Sequence, residues 1–246
     1  MRLTRSHVAM PLQVGAELAL PEDALHHLVR VLRLREGDAC VLFNGDGQDY
    51  AAVLVAIGKR EATVRITGAT PRPSESPLAI TLVQGIARGE KMDLILQKAT
   101  ELGVAAIVPV TAERTEVKLD AVRAAKRLAH WNEVIVAACE QCGRACLPRL
   151  EPPQPLARAL ASLPAAALGL VLDPNGQHRL GGLEDASAGR PLALAIGPEG
   201  GWAAGDLAVL AGAGFQGLRL GPRILRTETA GLAAIAALQA RFGDLA

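Results

Sequence analysis

Leu192-Ala-Leu-Ala-Ile196 is a short apolar run that passes directly into the glycine-rich turn Gly197-Pro-Glu-Gly-Gly201. A buried strand followed at once by such a turn is the unit from which parallel sheets covered by helices are built. The same grammar recurs on both sides of it. Ala79 to Val83 and Val104 to Val110 read as buried strands. Between them, Glu90 to Leu102 places Met92, Ile95, Leu96, Ala99 and Leu102 at helical spacing, and Gly103 stops the helix. Asp120 to Cys142 reads as a longer amphipathic helix. Leu168 to Leu172 and Leu218 to Leu220 read as strands, and Ala204 to Ala213 and Thr227 to Phe242 as helices. Residues 78–246 are therefore expected to form an α/β domain with a mostly parallel sheet. Glu151 to Pro164, rich in Pro and Ala, reads as a surface connection.

Towards the N-terminus the pattern changes. Thr70-Pro-Arg-Pro-Ser-Glu-Ser-Pro77 has no apolar periodicity, and residues 71–77 read as a linker. Before it come three short strands, Ala39 to Phe43, Tyr50 to Ile57 and Ala62 to Thr67. The turn Asn44-Gly45-Asp46-Gly47 makes a hairpin of the first two. One helix, from Pro21 to Arg35, opens with Glu22 and Asp23 at the positive end of its dipole. Residues 1–70 thus read as a small β-barrel with one helix. On that helix His26, Arg30 and Arg33 share one face and Leu25, Leu28 and Leu32 the other. The basic face suits either open solvent or RNA phosphates.

Composition narrows the function. Lys+Arg 26 against Asp+Glu 25 gives a net charge of +1, and residues 1–70 carry eight basic and eight acidic side chains, so any attraction for RNA must be local. An aromatic content of 2% argues against extensive base stacking. No apolar run is long enough to cross a bilayer and the N-terminus has no signal-peptide core, so a cytoplasmic protein with no membrane partner is expected. Cys139 and Cys142 form a C-x-x-C at a helix C-terminus, where the dipole raises a thiol's pKa, and only Cys146 is near enough to be a third ligand. Small buried thiols are favoured over a metal or redox site.

Two glycine-rich segments follow strands directly, Ile196-Gly-Pro-Glu-Gly-Gly201 and Leu220-Gly-Pro-Arg-Ile-Leu-Arg-Thr-Glu-Thr-Ala230. Ligands of parallel sheets sit beyond the carboxyl ends of the strands, and glycine lets them approach the backbone. One such loop alone reads as an ordinary strand–helix turn. Two in one half, the second dense in Arg, Thr and Glu, read as a site. There is no G-x-G-x-x-G after a strand and no P-loop, which argues against a dehydrogenase or an NTPase.

These segments resemble the cofactor loops of the RsmE family of ribosomal-RNA uridine-N3 methyltransferases. Lys91-Met-Asp-Leu-Ile-Leu-Gln-Lys-Ala-Thr-Glu-Leu-Gly-Val104, Trp131 with Glu140-Gln-Cys-Gly-Arg144 and Pro148, and His27-Leu-Val-Arg-Val-Leu-Arg33 with Gly37-Asp38 resemble further blocks of that family, in the same order along nearly the whole chain. One departure is Ser6-His7 after Arg5, where an aromatic or aliphatic pair is the pattern. The resemblance implies a SPOUT-type α/β domain with a C-terminal trefoil knot, preceded by a PUA-like β-barrel domain. It implies a homodimer, S-adenosyl-L-methionine as cofactor and 16S rRNA of the small subunit as partner, without a metal. It places the cofactor at Leu172, Ile196, Gly197, Pro198, Glu199, Gly200, Gly201, Leu220, Gly221, Ile224, Leu225, Arg226 and Thr227. Arg226 and Arg223 become candidates to stabilise the uridine anion, and Glu199 a candidate proton acceptor or positioning group. Arg5, His26, His27, Arg30, Arg33, Arg88 and Lys91 become candidate RNA contacts. Two other readings stay open: a SPOUT methyltransferase acting on another RNA, and a non-catalytic RNA-binding assembly factor.

Overall fold

A computed structural model describes residues 3–165, 167–183 and 190–245. The chain divides into two compact units, Met1–Glu75 with Val136–Leu147, and Ser76–Ile135 with Pro148–Ala246. Among the described residues no helix is long and apolar enough to cross a membrane.

In the first unit β1 (Arg5–His7), β2 (Glu17–Ala19), β3 (Ala39–Phe43), β4 (Gln48–Ile57) and β5 (Ala62–Pro71) pair in the order β1-β3-β4-β5-β2. Only β1 and β3 run parallel. The described pairings form one path with β1 and β2 at its ends. Leu28, Leu42, Leu54, Val64 and Ile66 fill its core. β5 continues to Pro71, into the segment read as linker, and the Arg72 N–H then donates to the Gly47 carbonyl at 2.9 Å.

The early helix is shorter than its pattern suggests. Helix α1 (Glu22–Leu25) gives way to a π-helical turn, His26–Val31, in which the Leu32 N–H reaches the His27 carbonyl five residues back at 3.1 Å. The wider turn breaks the 3.6-residue register. Leu28 stays fully buried, Leu32 swings out to 42% exposure, and Arg33 lies beyond the helix with φ +58°.

The segment Val136–Leu147 is tied to this sheet by polar contacts. Glu140 Oε1 accepts the His7 N–H at 3.0 Å and the Ser6 hydroxyl at 3.3 Å. The Arg144 guanidinium pairs with Glu75, and the Arg144 carbonyl accepts from Arg5 Nη2 at 2.9 Å. Burial pushes the Cys139 thiol up to about 12, as suits a small packing residue.

The second unit is built from β6 (Ile80–Gly85), α2 (Glu90–Glu101), β7 (Ala106–Thr111), α3 (Ala121–Cys142, clustering with the first unit from Val136), β8 (Arg149–Leu150), β9 (Gln154–Pro155), α4 (Leu156–Ala161), β10 (Leu168–Leu172), β11 (His178–Arg179), β12 (Leu192–Ile196), α5 (Ala204–Gly212), β13 (Gln216–Arg219) and α6 (Thr227–Phe242). The sheet order is β11-β13-β10-β12-β6-β7-β8, with β9 also on β7, and every pair is parallel. Central strands carry unbroken apolar runs because both of their faces are covered: all of β12 is buried. Glu151 to Pro164 is more than a surface connection, since β9 joins the sheet edge and α4 buries Leu156 and Ala159. At the far end, Gln239 of α6 donates to the Leu102 carbonyl at 3.0 Å and accepts from the Ser76 hydroxyl at 2.6 Å, which fastens α6 to the end of α2.

Candidate functional site

A cavity of about 720 Å³ opens in the second unit at the carboxyl ends of β10, β12 and β13, where parallel sheets hold their ligands. It is lined by Leu172 from β10, Ile196 and Gly197–Gly201 after β12, and Leu220, Gly221 and Arg223–Thr227 after β13. Every residue expected to hold a cofactor therefore meets in one place, together with Arg223. Among the described residues the N–H groups of Gly221, Arg223, Ile224 and Leu225 donate to no protein acceptor, so they are open to water or to a ligand.

Close backbone packing shapes the loop after β12. A Cβ on Gly85, at the end of β6, would sit 2.4 Å from the Pro198 nitrogen, so only glycine lets the strand and the loop touch. The Thr227 hydroxyl, at the first position of α6, donates to the Gly197 carbonyl at 2.6 Å and accepts from the fully buried Gln84 amide at 3.1 Å. This chain of bonds joins β6, the β12 loop and α6. Arg114, after β7, donates to the Gly200 carbonyl at 3.1 Å. The Asp206 carboxylate, buried at the start of α5, accepts the Ala203 N–H at 2.9 Å and the Glu113 N–H at 3.2 Å.

Glu199 is engaged within the protein. Its carboxylate accepts the Arg88 N–H at 3.0 Å and faces Lys91 Nζ at 3.5 Å. Burial alone would raise its pKa, but the N–H groups of Arg88 and of Glu199 itself, with the Lys91 charge, hold the carboxyl below its usual range. A carboxylate held in this way is a weak proton acceptor. Arg223 and Arg226 differ: both are exposed, and neither forms an ion pair among the described residues. Arg226 is the residue immediately before α6.

The expected RNA contacts separate. Arg5 must be corrected. It is only 6% exposed, pairs with Asp49, and stacks 4.7 Å above the Phe43 ring, because an unpaired guanidinium in that core would be far costlier than one held by a carboxylate. His26, Arg30 and Arg33 are exposed and His27 half-buried, though Arg30 also donates to the Lys59 carbonyl. Arg88 pairs with Glu116 at 2.7 Å, and Lys91 lines the cavity.

Sequence reasoning missed Gln84, Arg114, Trp202, Asp206 and Glu228. Trp202 Nε1 and Glu228 Oε2 are buried, have no hydrogen-bond partner among the described residues, and belong to residues lining the cavity. The wall of the cavity mixes charged and apolar side chains, Arg223, Arg226 and Glu228 beside Leu172, Ile196 and Leu220. Gln84 left a trace in the sequence, as a polar residue ending the apolar run of β6.

Residues 74–239 match the model of an RNA methyltransferase domain, and residues 20–67 that of an RNA methyltransferase PUA domain. The ribosomal RNA small subunit methyltransferase E of Buchnera aphidicola from Schizaphis graminum is 31% identical over 99% of this chain and 98% of its own. The Neisseria gonorrhoeae ribosomal RNA small subunit methyltransferase E, solved bound to S-adenosylmethionine, is 42% identical over all of both chains with a TM-score of 0.94. A putative methyltransferase from Legionella pneumophila, solved with the same cofactor, is 40% identical over all of both chains with a TM-score of 0.93.

Proposed function

The chain belongs to the RNA methyltransferase family that includes the ribosomal RNA small subunit methyltransferases E, and on that premise we propose that it methylates N3 of a uridine in 16S rRNA of the small subunit, using S-adenosylmethionine. The observation that carries this reading is the meeting of both glycine loops with Arg223 and Arg226 in one cavity.

The cavity suits the cofactor. Free backbone N–H groups in the β13 loop match an adenine or a carboxylate. Leu172, Ile196–Gly201 and Leu220–Thr227 would hold it. Bound there, S-adenosylmethionine supplies a methyl group already activated as a sulfonium. The chain's remaining tasks are alignment and charge. Uridine N3 gives its proton to solvent water, and the resulting charge rests on the flanking carbonyl oxygens. The guanidinium cations of Arg226 and Arg223 stabilise that anion through charge and their planar forks of N–H donors. Glu199 orients Lys91 and the backbone at Arg88.

Residues 1–70 serve RNA binding, with His26, His27, Arg30 and Arg33 against phosphates, while residues 78–246 carry the chemistry. The C-terminal segment threads a trefoil knot, as the family resemblance implies. The working form is a cytoplasmic homodimer. The deciding experiment methylates small subunits from a strain lacking the modification and maps the product by mass spectrometry. N3-methyluridine in 16S rRNA is expected, and a methyl group on ribose or on another RNA overturns the assignment.

A further inference from the structure

The first half of α3 buries almost nothing. From Ala121 to His130 no residue is buried, only Ala124 and Leu128 are half-buried, and Val122 is 80% exposed. Ten helical residues without tertiary cover are marginal by themselves. What they present is specific in sign and spacing. Arg123, Lys126, Arg127 and His130 stand at i, i+3, i+4 and i+7, hence on one face, along about 10 Å of axis. Lys126 and Arg127 form no ion pair among the described residues, and Arg123 has only the exposed Asp120, at 3.4 Å. Between Val117 and His130 there are four Lys or Arg against a single acidic residue, in a chain whose total charge is +1. The stripe is anchored at its C-terminal end. His130 Nε2 lies 2.9 Å from Asp93 of α2, the helix that also presents Lys91 to the cavity.

We propose that Arg123, Lys126 and Arg127 form a second RNA-docking surface, on the catalytic unit itself, which grips phosphates flanking the target base. The proposal rests on the function argued above. Its basis is charge complementarity: a ladder of cations along a helix ridge fits a polyanion, and each exposed cation that meets a phosphate releases counterions condensed on the RNA. Such cations position the strand and carry no sequence information, so they govern affinity for RNA more than turnover.

The test uses the full-length protein with small ribosomal subunits and a 16S rRNA fragment as probes, over a series of salt concentrations. Lys126→Ala/Arg127→Ala keeps good helix formers at exposed sites. It should weaken binding about tenfold and flatten the salt slope by about 1.4, roughly 0.7 for each single-strand phosphate that is no longer neutralised. KM for subunits should rise, while kcat at saturation, affinity for S-adenosylhomocysteine and sedimentation stay as in the wild type. Lys126→Arg/Arg127→Lys should restore the slope. Unchanged affinity and slope would overturn the proposal, as would altered sedimentation with normal RNA binding, which would make the ridge an interface between copies. Wild-type turnover in the same assay keeps the two readings apart: its loss strikes the proposed reaction, whereas the stripe is judged by the salt slope on RNA.

Discussion

Glu199 and Arg226 line the same cavity with opposite charges and unequal freedom. Because the Glu199 pKa is lowered in the folded protein, its stabilisation is complete above its ordinary value of 4.5 and is lost as pH falls through the lower folded value. Glu199→Gln should therefore lower the thermal midpoint at pH 7, and the gap to wild type should close in acid. A gap that stays constant down to pH 3 would mean that the charge of Glu199 is irrelevant to holding Arg88 and Lys91. Arg226 has no such partner among the described residues, so its loss should fall on the reaction. Arg226→Ala is expected to cost on the order of 3 kcal/mol in the chemical step, about a hundredfold or more in single-turnover rate on saturated enzyme. Affinity for S-adenosylhomocysteine should barely change. A normal rate at saturation would move the stabilising role to Arg223 or the backbone.

At the scale of elements, β10, β12 and α6 could be read to the residue, since the two strands are short apolar runs and α6 repeats its apolar residues at helical spacing before Gly243. The turn His26–Val31 could not, because spacing arguments assume 3.6 residues per turn and nothing local announces a bond five residues back. The site divides in the same way. Its glycines and arginines were legible as loop chemistry. Gln84 and Asp206 acquire their roles only from elements far off in sequence, and Arg5 looks like a surface cation until Asp49 and the Arg144 carbonyl enclose it. Gly85 joins an element to the site and can be tested there. Gly85→Ala must displace the Pro198 backbone, so it should cost about 1–3 kcal/mol of stability and weaken cofactor binding together. Gly221→Ala meets no protein atom and strains only its φ of +68°, so calorimetry should show a smaller loss of stability. Equal stability of Gly85→Ala and wild type would show that the loop yields freely.

For the whole molecule, the exposed Ile224 beside the cavity and the half-buried Leu232 and Ala236 on α6 are apolar surface that a second copy would cover. Light scattering at micromolar concentration should give the mass of a dimer, and an active monomer there would dismiss it. The path of the chain has a separate consequence, for biosynthesis. The first unit is discontinuous, closed by Val136–Leu147. As the ribosome works from the N-terminus, Arg5, Asp49 and Glu75 leave the exit tunnel well before Arg144 and Glu140, their later partners or partners' neighbours. β6, α2 and β7 must emerge before the first unit can finish assembling, so a nascent chain halted before Val136 holds Glu75 without its guanidinium and the His7 N–H without its carboxylate.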